Sequence, residues 1–347
     1  MKWGRITFAN RAIERNFFNA GDTAQIFAVD IIYNEMQLHQ DDIINIPIDE
    51  IRTYQGEKVI LPIAGYFQYE SRNPVFPASN DIIPIFLSLH CTAKQYLKHK
   101  KFWKNFEPIG CRDESTMQAM RKNGCDAYLL GCITSLFPRR DFVPETPHVF
   151  LVDVHPKAVH YVPEHIMQSA EYTTQDIPID RNLPKQQIAD IIQEKTKNIY
   201  SRYYNEATLI ITSRLHVAVP CMAMGIPVIV VKDGFDKRFG WLEKFLPLYT
   251  PDQYDVINWD PQPVELEEHK KLLLHNAVSL LKRKACMHDL QYLHNFLMDR
   301  KRKELRTSFL VSGYQWLAQY SPQLAAFIRY KVLKPLSISA RTDSQKK

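Results

Sequence analysis

Arg214 and His216 stand two residues apart just after an apolar run, Leu209-Ile210-Ile211, within the stretch 207–231. A guanidinium beside an imidazole can hold an anion and move a proton near neutral pH. Two other places carry comparable groups: Gly21-Asp22 and Arg112-Asp113-Glu114-Ser115. Two arginines from separate parts of the chain, set at helix N-termini, suit a small polyanion such as a phosphate ester bearing a carboxylate. A structural reading is open for each group. Arg214 could pair with a nearby carboxylate, His216 could pack in a helix turn, and Gly21-Asp22 could be plain capping.

Such groups need strand ends and helix starts to hold them. The β-branched run 209–211 predicts an inner strand of a parallel sheet. Thr212 or Ser213 is the expected cap of a helix that stops at Gly225, with Pro227 beyond and a second buried strand ending at Val231. Upstream, strands are expected over 2–9, 42–48, 58–63 and 81–90, the last ending in Ser88 and His90. His90 could face a cleft or be structural. After a loop, a helix runs from about 19 to 36, with Asp22 or Thr23 as its cap and Gly21 allowing close backbone approach. Asp113 caps another helix ending near Gly124, and residues 126–136 give a strand and a turn. This alternation is that of a Rossmann-like half.

The proline-rich segment 137–147 reads as a linker. A second half follows, with strands over 148–154 and 171–175 and an amphipathic helix over 183–204. The loop 234–241, rich in charge and aromatics, either covers a cleft or is a simple turn. From Val264 the pattern is helical, through 287–310 and 314–333. The expected organisation is an α/β fold of two Rossmann-like domains, 1–140 and 148–260, with helices over 261–336 and a basic tail, 337–347.

A length of 347 residues favours two domains, and 45% hydrophobic with 24% charged residues is ordinary globular composition. No uncharged apolar run reaches the roughly 18 residues of a membrane span, and the N-terminus does not read as a signal peptide. The six cysteines are scattered without C-x-x-C spacing, which predicts reduced thiols, a cytoplasmic setting and no metal site. The net charge of +6 is mild. Its clusters at 98–101, 282–284, 300–303 and 329–347 read first as solvated faces, with peripheral contact to an anionic membrane surface as the functional alternative. No nucleic-acid signature accompanies them.

In this order, Asn19, Gly21 and Asp22, then Gly110-Cys-Arg-Asp-Glu-Ser115, Gly131-Cys-Ile-Thr134, Thr212-Ser-Arg-Leu-His216 and Ala223-Met-Gly-Ile-Pro-Val228, resemble the polysaccharide pyruvyl transferase family over about residues 10–245. Arg-Leu-His after an apolar strand is the sharpest part. The resemblance implies a GT-B-like architecture with the site in an interdomain cleft. It implies transfer of pyruvate from phosphoenolpyruvate to two hydroxyls of a sugar on a surface polysaccharide or lipid-linked oligosaccharide; the expected setting is cytoplasmic, with peripheral contact at the inner face of the membrane as the alternative. The product is a cyclic ketal with release of phosphate, and phosphoenolpyruvate is a substrate, so no cofactor is expected.

By matched position, Arg112 and Arg214 would hold the donor's phosphate and carboxylate, and His216 would be the general acid. Gly21, Asp22, Ser115 and Leu215 would join the substrate site, Leu215 also facing the core so that its polar neighbours aim at the cleft. The loop Ala64-Gly65-Tyr66 departs from the glycine-rich loops of many members and leaves the acceptor open. A nucleotide-sugar glycosyltransferase and a non-catalytic carbohydrate-binding protein are the alternatives.

Overall fold

The strands are two to nine residues long, the inner ones rich in branched aliphatic residues, and the computed structural model, which describes residues 1–67 and 74–303, gathers most of them into two parallel sheets. The first half contributes β1 (Lys2–Thr7), β2 (Phe17–Asn19), β3 (Ile43–Pro47), β4 (Val59–Tyr66), β5 (Ile82–His90), β6 (Ile109–Cys111) and β7 (Ala127–Leu129). The second contributes β8 (Val149–Val152), β9 (Ala170–Thr173), β10 (Asp176–Pro178), β11 (Leu209–Thr212), β12 (Val228–Val231) and β13 (Leu248–Tyr249). The sheet orders are β3-β1-β4-β5-β6-β7 and β13-β12-β11-β8-β9. Every residue of β8, β11 and β12 is buried, as a sheet covered on both faces requires.

Each sheet reverses its direction of growth once, between β1 and β4 in the first and between β8 and β11 in the second. Such switch points leave a crevice at the carboxyl ends of the strands. Phe8 follows β1, Tyr66 ends β4, and Ser213-Arg214 follow β11; all line one cleft.

The main helices are α1 (Ala9–Arg15), α2 (Ala20–Glu35), α3 (Glu114–Lys122), α4 (Lys185–Glu206), α5 (Leu215–Ala223), α6 (Glu267–Leu281) and α7 (Met287–Met298). One apolar core runs through both halves by way of α2, the turn Ile133–Leu136 and α5. The segment 137–147 carries no helix or strand. The parts of the expected C-terminal helices beyond residue 303, and the basic tail, lie outside the described residues.

Two expectations change. The stretch before α2 is not a loop: α1 forms there, and β2 pairs antiparallel with β10 of the second half. α1 has no side-chain cap and is only seven residues long, so its stability comes from packing Ala9 and Ala12 beside Ile188 and Ile192 of α4. Neither Asp22 nor Thr23 caps α2, whose N-cap is Asn19. Asp22 is therefore in the first helical turn, where its carboxyl serves the cleft.

Candidate active site

The cleft, about 430 Å³, is lined from the first half by Phe8, Arg11, Arg15, Gly21, Asp22, Gln25 and Tyr66. From the second half come Ser213, Arg214, Leu215, His216, Lys232 and Arg238. Of the residues anticipated from sequence, Gly21, Asp22, Arg214, Leu215 and His216 are thus brought together.

His216 sits in the opening turn of α5 with φ −84° and ψ 15°, outside helical geometry. Thr212 and Ser213 do not cap this helix. The Thr212 hydroxyl donates to the Val152 carbonyl and accepts the Arg214 amide, and the Ser213 hydroxyl donates to the Asp153 carbonyl. These bonds tie the exit of β11 to that of β8. The Tyr200 hydroxyl donates to the His216 carbonyl. A Cβ on Gly21 would stand 2.8 Å from His216 Cβ and 2.8 Å from Asn19 Oδ1, so α2 can begin against His216 only with glycine there.

The imidazole hydrogen-bonds the Gly21 backbone, while Nε2 has no partner among the described residues. Burial, then the charges of Arg112 and Arg238, hold the ring well below the ordinary histidine value, so it rests neutral. Asp22 moves the other way. Burial raises its carboxyl, against the opposing pull of Arg11, Arg15, Arg112 and Arg238. Two titratable groups pushed in opposite directions within one cleft are suited to exchange protons.

Arg214 lies in the wall with its charge engaged. Its Nε donates to Asp153 Oδ2 at 2.9 Å and its Nη2 to Asp176 Oδ2 at 2.5 Å. Asn19 Nδ2 donates to the other oxygen of Asp176 at 3.0 Å, so this network joins the two halves. Of the two sequence readings of Arg214, anion clamp or partner of a nearby carboxylate, the second is seen here: two carboxylates already offset its charge where it lines the cleft.

Arg112 and Ser115 stand behind the lining rather than in it. Arg112 is fully buried, donating from Nη2 to Gln25 Oε1 at 2.6 Å and from Nε to Ser88 at 3.2 Å, with Nη1 unpartnered among the described residues. No ion pair offsets it among those residues, and its positive charge acts on His216 and Asp22 in the cleft. The Ser115 hydroxyl donates to Asp113 Oδ1. Asp113 caps α3 as anticipated, accepting the Thr116 amide at 2.9 Å.

Sequence reasoning missed Arg11, Arg15 and Lys232. Among the described residues none of the three side chains forms a hydrogen bond or ion pair, the Lys232 ammonium lying 5.3 Å over the Phe239 ring, so their charges are available to an anion. Lys232 follows β12 directly, and burial lowers its ammonium below the ordinary lysine value, with Arg238 and Arg214 adding to the effect against Asp236. Arg238, in the loop after β12, is paired with Asp236 through two bonds of 2.7 Å and lies 4.3 Å over the Tyr66 ring. The loop 234–241 therefore reaches the cleft.

Residues 92–233 match the family model of polysaccharide pyruvyl transferase. The match includes Arg112, Arg214, His216 and Lys232; α1, α2 and Arg238 lie outside it. No curated protein matches the chain. Among solved structures, the chain is similar to an uncharacterized protein from Klebsiella pneumoniae subsp. pneumoniae NTUH-K2044, at 12% identity and TM-score 0.40, over 69% of this chain and 88% of that one. It is also similar to a protein from Listeria monocytogenes described as a putative UDP-N-acetylglucosamine 2-epimerase, at 13% identity and TM-score 0.40, over 92% and 97%. Among the described residues, no helix is long and apolar enough to cross a membrane.

Proposed function

We propose that the protein transfers pyruvate from phosphoenolpyruvate to two hydroxyls of a sugar on a polysaccharide or lipid-linked oligosaccharide, forming a ketal and releasing phosphate. The observation that carries this reading is the neutral His216, fixed by Gly21 at a cleft whose unpaired cations, among the described residues, include Arg11 and Lys232. The family match over 92–233 supports the transferase class.

In this reading, Lys232 and Arg11 receive the donor's phosphate and carboxylate, helped by Arg238 and by the field of Arg112. Arg214 shapes the wall and holds the halves in register. The incoming negative charges offset Arg112 and Arg238, so the imidazole of His216 takes up a proton as the donor binds. The imidazolium then protonates C3 of the enol, using the electron pair of the C2–C3 double bond, and positive charge develops at C2. A sugar hydroxyl forms the first C2–O bond and gives its proton to Asp22. The C2–O bond to phosphate breaks, the leaving group keeps the pair, and the second hydroxyl closes the ketal, returning its proton to His216. The Lys232 ammonium stabilises the phosphate as its charge grows.

The test is incubation of the purified protein with phosphoenolpyruvate and an oligosaccharide panel, following phosphate by colorimetry and the sugar product by mass spectrometry. Release of phosphate matched by a pyruvate ketal is the expected result. Thermal stabilisation by nucleotide sugars but not by phosphoenolpyruvate would overturn it.

A further inference from the structure

One group outside the cleft lining is joined to it by a continuous set of contacts. His90 ends β5, and its Nδ1 lies 2.5 Å from Asp113 Oδ2. Asp113 is buried, which works against ionisation, yet bonds from His90, from Ser115 and from the Thr116 amide hold it below the ordinary carboxylate value. An ionised carboxylate only accepts, so Nδ1 of His90 carries the hydrogen and the ring plane is fixed by a residue that also caps α3. The Tyr66 ring, at the end of β4, stacks on His90 with centroids 5.1 Å apart and planes 16° apart. The Arg238 guanidinium lies over Tyr66.

Arg238 comes from the second half and Tyr66 from the first, so this contact crosses the cleft. Arg238 also acts on both titratable groups there, opposing protonation of His216 and favouring ionisation of Asp22. Its place therefore bears on donor charge and on both proton positions.

We infer that His90 is a positioning residue: held by Asp113, it orients Tyr66, whose face, beside the ion pair to Asp236, sets where the Arg238 guanidinium lies in the cleft. The inference that this affects the donor rests on the reading of phosphoenolpyruvate as donor; the placement of Arg238 does not.

Two measurements on the full chain separate these. The first is phenylglyoxal modification at Arg238, followed by peptide mass mapping. In His90→Ala and Tyr66→Ala the rate rises severalfold over wild type, and His90→Phe, which restores a flat ring beneath Tyr66, returns it toward wild type. An unchanged rate in both alanine variants overturns the inference whatever the substrate is. The second is phosphoenolpyruvate binding by calorimetry in a double-mutant cycle. His90→Ala weakens binding by about tenfold, the scale of a partly desolvated cation–π contact, and has no further effect once Arg238 is alanine. Equal weakening with and without Arg238 would assign His90 a general structural role and overturn the inference. If wild type binds no phosphoenolpyruvate, the proposed function fails, and the modification rate still decides the placement. If His90→Ala does not fold, Tyr66→Ala takes its place in the same cycle, with the same two outcomes.

Discussion

The two switch points contribute cations of different kinds to the cleft. At the second, after β8 and β11, Arg214 is held by Asp153 and Asp176, and beyond β12 Arg238 is held by Asp236. At the first, after β1, Arg11 and Arg15 project from α1 with no such partners among the described residues. Paired arginines are fixed in place and define shape, and Arg238, though paired, still acts on His216 and Asp22. Unpaired ones retain their charge for a ligand. Lys232 is the exception in the second half, an ammonium without an ion pair among the described residues, amid anchored neighbours.

The largest effect that would test this division is at the proton carrier. His216→Ala should lower turnover by about 10²–10⁴-fold, the usual worth of a positioned acid or base, with little change in donor binding. Calorimetry showing an equal loss of affinity would reassign His216 to binding. Next comes its neighbour. Gly21→Ala forces a Cβ against His216 and Asn19, and a misplacement of about 1 Å can cost about a hundredfold in rate. A wild-type rate in that variant would mean the contact relaxes harmlessly.

The contrast itself is broken by matched substitutions. Lys232→Ala and Arg11→Ala should each weaken phosphoenolpyruvate binding by about tenfold or more while leaving Tm within a few degrees of wild type, as loss of a charge-assisted contact predicts. Arg214→Ala should do the reverse, lowering stability by about 1–2 kcal/mol as Asp153 and Asp176 lose their partner. If Arg214→Ala proves stable but unable to bind donor, the two classes of cation have been exchanged.

A further test is in pH. His216 is depressed in the native state, and His269, buried between aromatic rings, is lowered to about 3 by burial and by Arg300 and Lys270. Between those values and the unfolded value near 6.5, the unfolded chain binds protons that the native chain does not. Stability is thus full above about pH 6.5 and falls as the solution is acidified. Denaturant midpoints from pH 7 to pH 4 should decline, with a shallower slope in His269→Phe. Donor binding should take up a proton, seen as a dependence of calorimetric heat on buffer ionisation enthalpy.

Much of this arrangement can be read from the chain. Runs such as Val228-Ile-Val-Val231 announce buried parallel strands, and Asp113 before a helical pattern announces its cap. The site is harder to read where local signals and tertiary needs diverge. Asp22 has the type and position of a cap, but the backbone enters α2 at Asn19 and leaves the carboxyl for the cleft. α1 is too short and too poorly capped to register, although Arg11 and Arg15 have the i, i+4 spacing of one helix face. Arg112 and Arg214 both occupy strand exits, yet the sequence carries no sign of which way a side chain turns. One is enclosed by Gln25 and Ser88, and the other is claimed by two aspartates distant in sequence.

The antiparallel pair of β2 and β10 belongs to neither large sheet and has a mechanical meaning. β2 precedes α2 of the first half, whereas β10 lies between β9 and α4 of the second. Sliding the halves past one another would shear that ladder and break its hydrogen bonds together with the Asn19–Asp176–Arg214 link. The pair works as a stitch between the halves, set beside the start of α2 where Gly21 meets His216.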